Sequence, residues 1–473
     1  MADFVEGEDM TLKKNHPAGY NGITDGVIWQ QLLLFFFPIL FGTFFQQLYN
    51  TADAMIVGKF VGKEALSAVG GTTGNLINLL VGFFVGLSSG AAVIVSQHYG
   101  ARQDDQVRTS VHTSFCLALA GGVFLMIVGE ACARVAVKAM GAPEEIMDYS
   151  VTYMRIYFLG VIPNLVYNMG AAILRAVGDS KRPLYYLIVC CFVNIGLDLL
   201  FVVVLKMEVA GAALATILSQ LLSAALVMWT LMRTKESFRF ELKHLKVDKP
   251  MLRKIIQIGF PAGLQSVLYS ISNVVIQANI NSFGTNVIAA WAVYGKVDGL
   301  FWMIMDAMGI AITTFAGQNF GARKYERMQK GHYVGLGITT ILTAILAAGV
   351  MLFGSILGSL FTSDPDVLAE SMTIIRFVTP FWFSYICVNV FSSTLRGIGD
   401  TFIPMLLICF GTCGLRVLWI FTAGVMYPGL YTSLASYPLS WTVTSVAFII
   451  YYYKFSDMRR INKLIKKEKK ERQ

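Results

Sequence analysis

The sequence has little charge for its length. Of its 473 residues only 14% are charged while 55% are hydrophobic, and the mean hydropathy is +0.61. Soluble domains carry about 25% charged residues. A water-soluble core cannot use so many apolar positions, so the shortage of charge indicates a chain whose solvent is lipid.

Several motifs of soluble chemistry are also missing. The sequence has no Gly-rich Walker loop, no HExxH and no Gly-x-Ser-x-Gly, which disfavours an ATP-driven protein or an enzyme. The seven cysteines form no paired CxxC motifs, so neither a zinc site nor a disulfide framework is indicated. The polar segment 1–27 does not lead into a cleavable apolar segment, so we predict no signal peptide. We expect no cofactor.

What the sequence does contain is twelve long apolar segments. A helix that spans a membrane needs about 20 mostly apolar residues. We therefore predict an all-α integral membrane protein with twelve transmembrane helices. The predicted spans are 30–58, 66–98, 108–137, 146–174, 183–205, 208–232, 251–281, 285–318, 331–359, 368–395, 402–426 and 430–453.

Lysine and arginine are distributed unequally between the two sides of these spans. With both termini on one side, 29 of the 38 basic residues lie on that side and 5 on the other. The positive-inside rule then predicts a multi-pass protein of the plasma or inner membrane with both termini in the cytoplasm. The net charge of +9 is explained by topology, so we expect the lipid bilayer and not nucleic acid as the partner.

The two halves of the chain repeat each other. Residues 174–180 (LRAVGDS) match 395–401 (LRGIGDT), and 97–102 (QHYGAR) match 318–323 (QNFGAR), both at one constant offset along the chain. Arg155 and Arg376 keep this offset. Two six-helix copies have the same orientation because six is even, so a pseudo-two-fold axis along the membrane normal is expected, with substrate between the copies.

This repeat predicts five parts. They are a cytoplasmic N-terminal tail (1–28), an N-terminal six-helix bundle (29–232), a cytoplasmic linker (233–250), a C-terminal six-helix bundle (251–453) and a basic cytoplasmic tail (454–473). We expect the protein to be a monomer.

The paired motifs Q-x-[YF]-G-A-R and L-R-x-[VI]-G-D-[ST]-x-x-P resemble those of the multidrug and toxic compound extrusion (MATE) family. Residues 48–53 (LYNTAD) and 211–216 (GAALAT) resemble it too. The resemblance implies an antiporter that exports amphipathic organic compounds in exchange for H⁺ or Na⁺, through a V-shaped cavity. One alternative is a lipid-linked oligosaccharide flippase of the related superfamily, although those typically carry extra helices. A membrane-embedded enzyme is a second alternative, but no nucleophile and base share one depth.

Four polar residues of the first half form the candidate coupling site. At 1.5 Å per residue, Asp53 lies about 8–9 Å below the outer surface, and Asp198 and Thr216 about 11 Å. Asn194 lies one turn deeper on the face of Asp198. The two carboxylates could share a proton, because both resist ionising together in a low dielectric. Alternatively, the four side chains could ligate Na⁺. The family resemblance places its N-terminal-half cation site on the same four residues.

The remaining polar residues inside spans are candidates for the substrate cavity or for structural roles. On helix 1, Gln46, Tyr49 and Asp53 lie on one face of the helix, which we call the α1 stripe. Asn50, beside Tyr49 in sequence, is a further candidate for the substrate cavity. In the second half, Lys296 and Arg416 lie around a single acid, Asp298. We predict that Asp298 pairs with one of these two cations, or alternatively that the group binds substrate. Glu130 and Arg155 are predicted to pair.

Prolines and the paired Gly-Asp motifs are predicted to be structural corners or inner-gate elements. Pro38 frees a backbone carbonyl inside helix 1, which predicts a bend there, and Pro261 occupies the related position in helix 7. We predict that the arginine of each motif holds the aspartate of the same motif or carbonyls of the helix end. The residues concerned are Arg175, Asp179, Arg396 and Asp400.

Overall fold

The computed structural model describes residues 23–141 and 143–472, without the side chains of 72, 75 and 466–472. Positions 1–22 of the predicted N-terminal tail lie outside the described part. Twelve helical segments coincide with the predicted spans to within a few residues. They are α1 Ile28–Phe60, α2 Lys63–Gly100, α3 Asp104–Ala139, α4 Glu144–Leu159 with Val161–Ala176, α5 Lys181–Val204, α6 Glu208–Arg233, α7 Lys249–Asn281, α8 Thr285–Gly321, α9 Tyr325–Ser359, α10 Pro365–Ile398, α11 Phe402–Met426 and α12 Leu430–Lys454.

Two of these segments depart from a simple apolar span. The two pieces of α4 meet at 52° beside Gly160, where a Cβ atom would lie 2.3 Å from Ile217 of α6. The bend therefore brings α4 directly against α6. Helix α7 is too polar to be recognised as a span by composition, whereas ten others and the bent pair are apolar enough. Its polar residues include Gln265, Asn273 and Gln277.

The repeated motifs are helix ends. Gly178 and Gly399 have φ values of 101° and 92°, a left-handed conformation that costs glycine little. The amide of Asp179 then bonds the carbonyl of Leu174 at 2.9 Å, and Asp400 bonds Leu395 at 2.9 Å. Both are helix C-terminal capping bonds, so the L-R-x-[VI]-G-D motif stops α4 and α10 in the same way.

The Q-x-[YF]-G-A-R motif ends α2 and α8 with the same device. Arg102 and Arg323 have φ values of 58° and 56°, and the residue after each bonds back to the helix at 3.0 and 2.9 Å. The sequence repeat is therefore a repeat of backbone geometry. All four ends lie on the predicted cytoplasmic side.

Helices α1 and α7 each divide between two hydrophobic cores. The inner part of α1, including Leu32 and Phe36, packs in the core of the C-terminal bundle, whereas Val57 packs in the N-terminal one. Helix α7 does the reverse: Ile255 belongs to the N-terminal core and Ile280 to the C-terminal core. These two related helices cross between the lobes, so each lobe includes the N-terminal part of a helix from the other half.

Helices α2 and α7, one from each half of the chain, also approach each other very closely. A Cβ atom on Gly86 would lie 2.5 Å from the backbone of Gly263, and one on Gly90 would lie 2.5 Å from Gly259. Glycines four residues apart on each helix thus let the two backbones touch, as in membrane helix pairs built on small residues.

The linker is held against the N-terminal lobe. Phe240 stacks on His112 of α3 with ring centroids 5.3 Å apart, and Glu241 accepts a 2.6 Å bond from Arg108. Asp248 then caps α7 by accepting the Met251 amide at 2.8 Å. The segment 233–250 is therefore a packed connection fixed to α3.

Both ends of the described chain dock on the C-terminal lobe. Lys324 forms a 2.7 Å ion pair with Asp25, and this hydrogen-bonded ammonium lowers the pKa of that carboxyl. Beyond α12, part of the predicted tail is a helix, α13 Met458–Arg472. Its Met458, Ile461 and Ile465 are buried, which the sequence-based treatment of 454–473 as a basic tail did not predict.

Candidate functional site

Helices α1, α5 and α6 bring the four candidate coupling residues together inside the first lobe, towards the end that the sequence predicts to be the outer one. Asp53 and Thr216 are 6% and 5% exposed, and Asn194 and Asp198 are fully buried. Thr216 donates from Oγ1 to Asp53 Oδ2 at 3.3 Å. The side chains of Asp198 and Asn194 are neighbours of Asp53. The predicted proximity of the four side chains is thus found.

This cluster has more polar atoms than partners. Among the described residues, Asp53 Oδ1, both Asp198 oxygens and both polar atoms of Asn194 are buried without a hydrogen-bond partner. Buried polar groups are nearly always satisfied in folded proteins. Two carboxylates with unmatched oxygens could hold a proton or a small hard cation, which prefers oxygen ligands. Among the described residues there is no group of three or more His, Cys, Asp or Glu that could hold a metal.

Tyrosines surround this cluster. Tyr153 of α4 is buried and is a neighbour of Thr216 and of both aspartates. Sequence reasoning missed Tyr153, although its i, i+4 spacing to Tyr157 was a signal for one aromatic face. Tyr49 is half-buried and adjoins Asp53, as the stripe on α1 predicted.

The other two candidate residues of α1 are exposed. Gln46 and Asn50 both have open side chains within the span. Polar side chains at this depth normally face protein or water and not lipid. Helix α1 runs without a break through Pro38, and α7 through Pro261.

Asp298 in the second lobe does not pair with a cation, so the predicted ion pair is wrong. The carboxylate accepts hydrogen bonds from Tyr294 Oη at 2.9 Å, Trp302 Nε1 at 2.8 Å and Trp382 Nε1 at 3.1 Å. Lys296 is exposed and, two residues away, lies about 200° around the helix from Asp298. Neutral aromatic donors from α8 and α10 therefore hold this acid.

Arg416 is held mainly by rings. Its side chain is 2% exposed and its guanidinium carbon lies 4.0 Å from the centre of the Tyr437 ring, a cation–π contact. Nε and Nη2 are buried without a hydrogen-bond partner among the described residues. The charge of Arg416 still interacts electrostatically with Asp298, but the two side chains form no ion pair.

A second acid of α8, Asp306, escaped the sequence analysis. Its side chain is exposed, although it lies near the middle of the helix and protein atoms crowd around it. A side chain that is accessible to solvent and yet surrounded by protein atoms lies on the wall of a cavity. The charged group whose field reaches it is Arg396 of α10. Counting acids within the span 285–318 would have found Asp306, eight residues after Asp298.

Of the two alternatives predicted for the arginines of the Gly-Asp motifs, the pairing with the aspartate of the same motif is not found among the described residues. Asp179 pairs instead with Arg182 at 3.2 Å, and Asp400 accepts a 2.7 Å bond from Tyr451. Near the outer end of α3, the predicted pair of Glu130 and Arg155 is found at 3.9 Å.

The motifs instead join the two lobes through glutamine. Gln97 Nε2 donates to the carbonyl of Gly397 at 2.8 Å, and Gln318 Nε2 donates to the carbonyl of Ala176 at 2.7 Å. The two donors are separated by the offset of the internal repeat, and so are the two acceptors, so the repeat relates one bond to the other. We call this reciprocal pair the glutamine clasp. It closes the lobes against each other at the motif-bearing end.

Two six-helix lobes, a buried polar cluster within one of them and an interface between them define a multi-spanning membrane transporter. The MatE family model matches residues 38–200 and 261–422, one copy in each half. The chain therefore belongs to the MatE family, the multidrug and toxic compound extrusion transporters.

Curated proteins and solved structures agree with this assignment. The chain is similar to the probable multidrug resistance protein YoeA of Bacillus subtilis (strain 168), at 27% identity covering 96% of this chain and 98% of that protein. It is also similar to the probable multidrug resistance protein YpnP of the same organism, at 28% identity covering 91% and 96%.

Among solved structures, one described as the outward-facing conformation of a multidrug resistance MATE family transporter superposes with a TM-score of 0.87. That structure is 23% identical in sequence, and the superposition covers 96% of this chain and 100% of the other. The shared fold confirms the predicted all-α architecture of twelve spanning helices.

Proposed function

We propose that this protein is a secondary antiporter that exports amphipathic organic compounds in exchange for H⁺ or Na⁺. The observation that carries the proposal is the cluster of Asp53, Asn194, Asp198 and Thr216, whose buried oxygens outnumber their hydrogen-bond partners. A purely structural network would satisfy its members, because each unmatched buried polar group costs about 1–3 kcal/mol.

The cluster is suited to an ion that binds reversibly. Asp53 and Asp198 have no cationic side chain among their hydrogen-bond or ion-pair partners in the described residues. A carboxylate with a fixed cationic partner stays ionised, whereas one without such a partner needs a mobile proton or metal ion. The oxygens would serve H⁺ and Na⁺ equally well, so the coupling ion is decided by the experiment.

Export would proceed by alternating access. The lobes would rock about a cavity between them, and the glutamine clasp is the contact that must break for the cavity to open at the motif-bearing end. The basic asymmetry of the loops supports placing that end in the cytoplasm, with both termini there and the protein in the plasma or inner membrane. We propose a monomer, since one chain supplies both lobes.

The test is transport by purified protein in proteoliposomes, with an imposed proton or sodium gradient and a fluorescent amphiphile as cargo. We expect one of the two gradients to drive accumulation, and Asp53→Asn to abolish that dependence while the protein still folds, because an amide keeps the shape but cannot titrate. Glu130→Gln, which removes an acid already paired with Arg155, is the matched control. Normal gradient-driven transport by Asp53→Asn and by Asp198→Asn would reject the first-lobe site.

A further inference from the structure

The C-terminal helix α13 is fixed to the second lobe by one of its faces. Met458, Ile461 and Ile465 are buried, and Asn462 accepts a 3.1 Å hydrogen bond from Gln329 of α9. Because successive residues turn by about 100°, these four positions of α13 cover one side of the helix. Helix α13 is therefore held against the lobe, and its other side is free to contact something else.

The other side of α13 is basic. Arg459, Arg460 and Lys463 are exposed, and none of the three forms an ion pair with an acid of the described residues. Over the sequence 458–472, eight residues are basic and two are acidic. A surface with this excess of positive charge attracts a partner that carries several negative charges. We call the side of α13 that carries these three residues the basic face.

The level of α13 along the molecule indicates which partner it can reach. The helix starts four residues after α12 ends at Lys454, and Gln329 lies four residues after the start of α9, about 6 Å of rise. Nearby, the exposed side chains of Tyr333 and Tyr453 share a 2.9 Å hydrogen bond between α9 and α12. Exposed tyrosines near the ends of spanning helices are typical of the level of the lipid headgroups. Helix α13 therefore lies at the membrane surface.

Exposed apolar side chains border the basic face. Leu464 is 39% exposed and Phe455, just before α13, is 73% exposed. Leu464 follows Arg460 by four residues, so the two side chains are neighbours on the helix surface. A lipid surface can use both kinds of group, because its phosphates attract the cations and its acyl chains accept the apolar side chains. A soluble polyanion would match the charges alone.

We propose that α13 is a docking surface for anionic phospholipids, with Arg459, Arg460 and Lys463 binding the headgroup phosphates beside the exposed Leu464. The first half has no counterpart of this surface, because its last helix leads into the linker that packs on α3. The lipid surface lies outside the spans and apart from the cluster around Asp53. It is therefore independent of the exported compound and of the coupling ion, and its binding is measured without any transport.

The test is native mass spectrometry of the purified full-length protein in detergent, titrated with dioleoyl-phosphatidylglycerol or dioleoyl-phosphatidylcholine. We expect the wild-type protein to bind the anionic lipid at least about tenfold more tightly than the zwitterionic one, since each basic residue near an anionic headgroup adds to the affinity. The combined variant Arg459→Gln, Arg460→Gln and Lys463→Gln should lose this preference. The matched control removes three exposed charges from the linker and should keep it; its substitutions are Lys235→Gln, Lys243→Gln and Lys246→Gln.

Further measurements separate a lipid from other anions and from misfolding. The variant Arg459→Lys with Arg460→Lys keeps both charges and should retain the preference. Excess glycerol 3-phosphate or a polyglutamate peptide should not displace the phosphatidylglycerol. The proposal is overturned if the wild-type protein binds the two lipids equally, or if the linker variant loses as much preference as the α13 variant. Displacement by either soluble anion would also overturn it, because the basic face would then bind a free phosphate or an acidic protein.

Discussion

At the scale of single residues, the buried acids of the two lobes differ in their partners. Asp298 accepts three hydrogen bonds from tyrosine and tryptophan, whereas both oxygens of Asp198 lack a partner among the described residues. A carboxylate held by three neutral donors keeps one geometry. Asp298 is therefore a structural anchor, and Asp53 and Asp198 are candidates for titration.

This difference predicts the effect of Asp298→Asn. An amide has one acceptor oxygen in place of two, so at least one of the Tyr294, Trp302 and Trp382 donors is left unmatched. We expect a loss of about 1–3 kcal/mol of stability, seen as a lower thermal unfolding midpoint in detergent. The ion dependence of transport should persist. Loss of ion dependence in this variant but not in Asp53→Asn would reverse the roles of the two sites.

At the scale of helices, glycines set how closely α2 of the first half approaches α7 of the second half. Helix α2 has glycines at 82, 86 and 90, but only the last two contact the α7 backbone. A Cβ atom on Gly82 would lie 3.9 Å from Ser266, an ordinary contact. These glycines of α2 therefore include a tightly packed position, Gly86, and a position with room for a methyl group, Gly82, which serves as its control.

We expect Gly86→Ala to separate α2 from α7, because the new Cβ would lie 2.5 Å from the Gly263 nitrogen. Overpacking of this kind costs about 1–3 kcal/mol. The measurement is the thermal unfolding midpoint beside the accessibility of cysteines introduced at the motif-bearing end. Gly82→Ala is the control and should behave like the wild-type protein. Equal behaviour of the two variants would show that the close contact does not limit the interface.

At the scale of the whole molecule, the glutamine clasp connects the internal repeat to the conformational state. Gln97 and Gln318 each donate one buried bond across the lobes. A net contribution of about 1 kcal/mol per bond is large beside the few kcal/mol that separate two conformations. The repeat thus supplies a symmetric contact that favours the conformation in which the lobes are closed at the motif-bearing end.

Replacing both glutamines by alanine should shift the molecule towards opening at this end. Two lost bonds correspond to about 2 kcal/mol, or roughly a thirtyfold change in the equilibrium between states. Spin-label distances between α2 and α10 at the motif-bearing end would report it. Gln329→Ala, which removes a 3.1 Å bond to Asn462 within one lobe, should leave these distances unchanged. An unaltered distance distribution in the double variant would contradict the role of the clasp.

The orientation in the membrane is a further property of the whole molecule. A cysteine replacing Lys243, in the linker packed on α3, should react with an impermeant reagent only from the cytoplasm. A cysteine replacing Asp366, in the first turn of α10, should react only from outside. The expectation rests on the 29-to-5 distribution of basic residues and the positive-inside rule. Labelling of both positions from one side would refute the topology.

The sequence by itself determined the number of spanning helices, their approximate ends and the repeat. These depend on local properties of the chain. The length of an apolar segment decides whether it can span the membrane, and Gly178 or Gly399 ends its helix whatever the rest of the chain packs against. The depth of Asp53, Asp198 and Thr216 also followed from counting residues, because rise per residue is constant along a helix. That arithmetic was enough to predict that the three side chains meet.

Only the tertiary structure decided which faces of the helices meet. The partners of Asp298 come from α10 as well as α8, and the clasp joins residues 300 and 142 positions apart. The sharing of α1 and α7 between lobes likewise depends on helix packing across the interface. A residue's depth follows from its own helix, but its neighbours depend on how that helix is rotated against others, and this rotation is fixed by the packing of the whole chain.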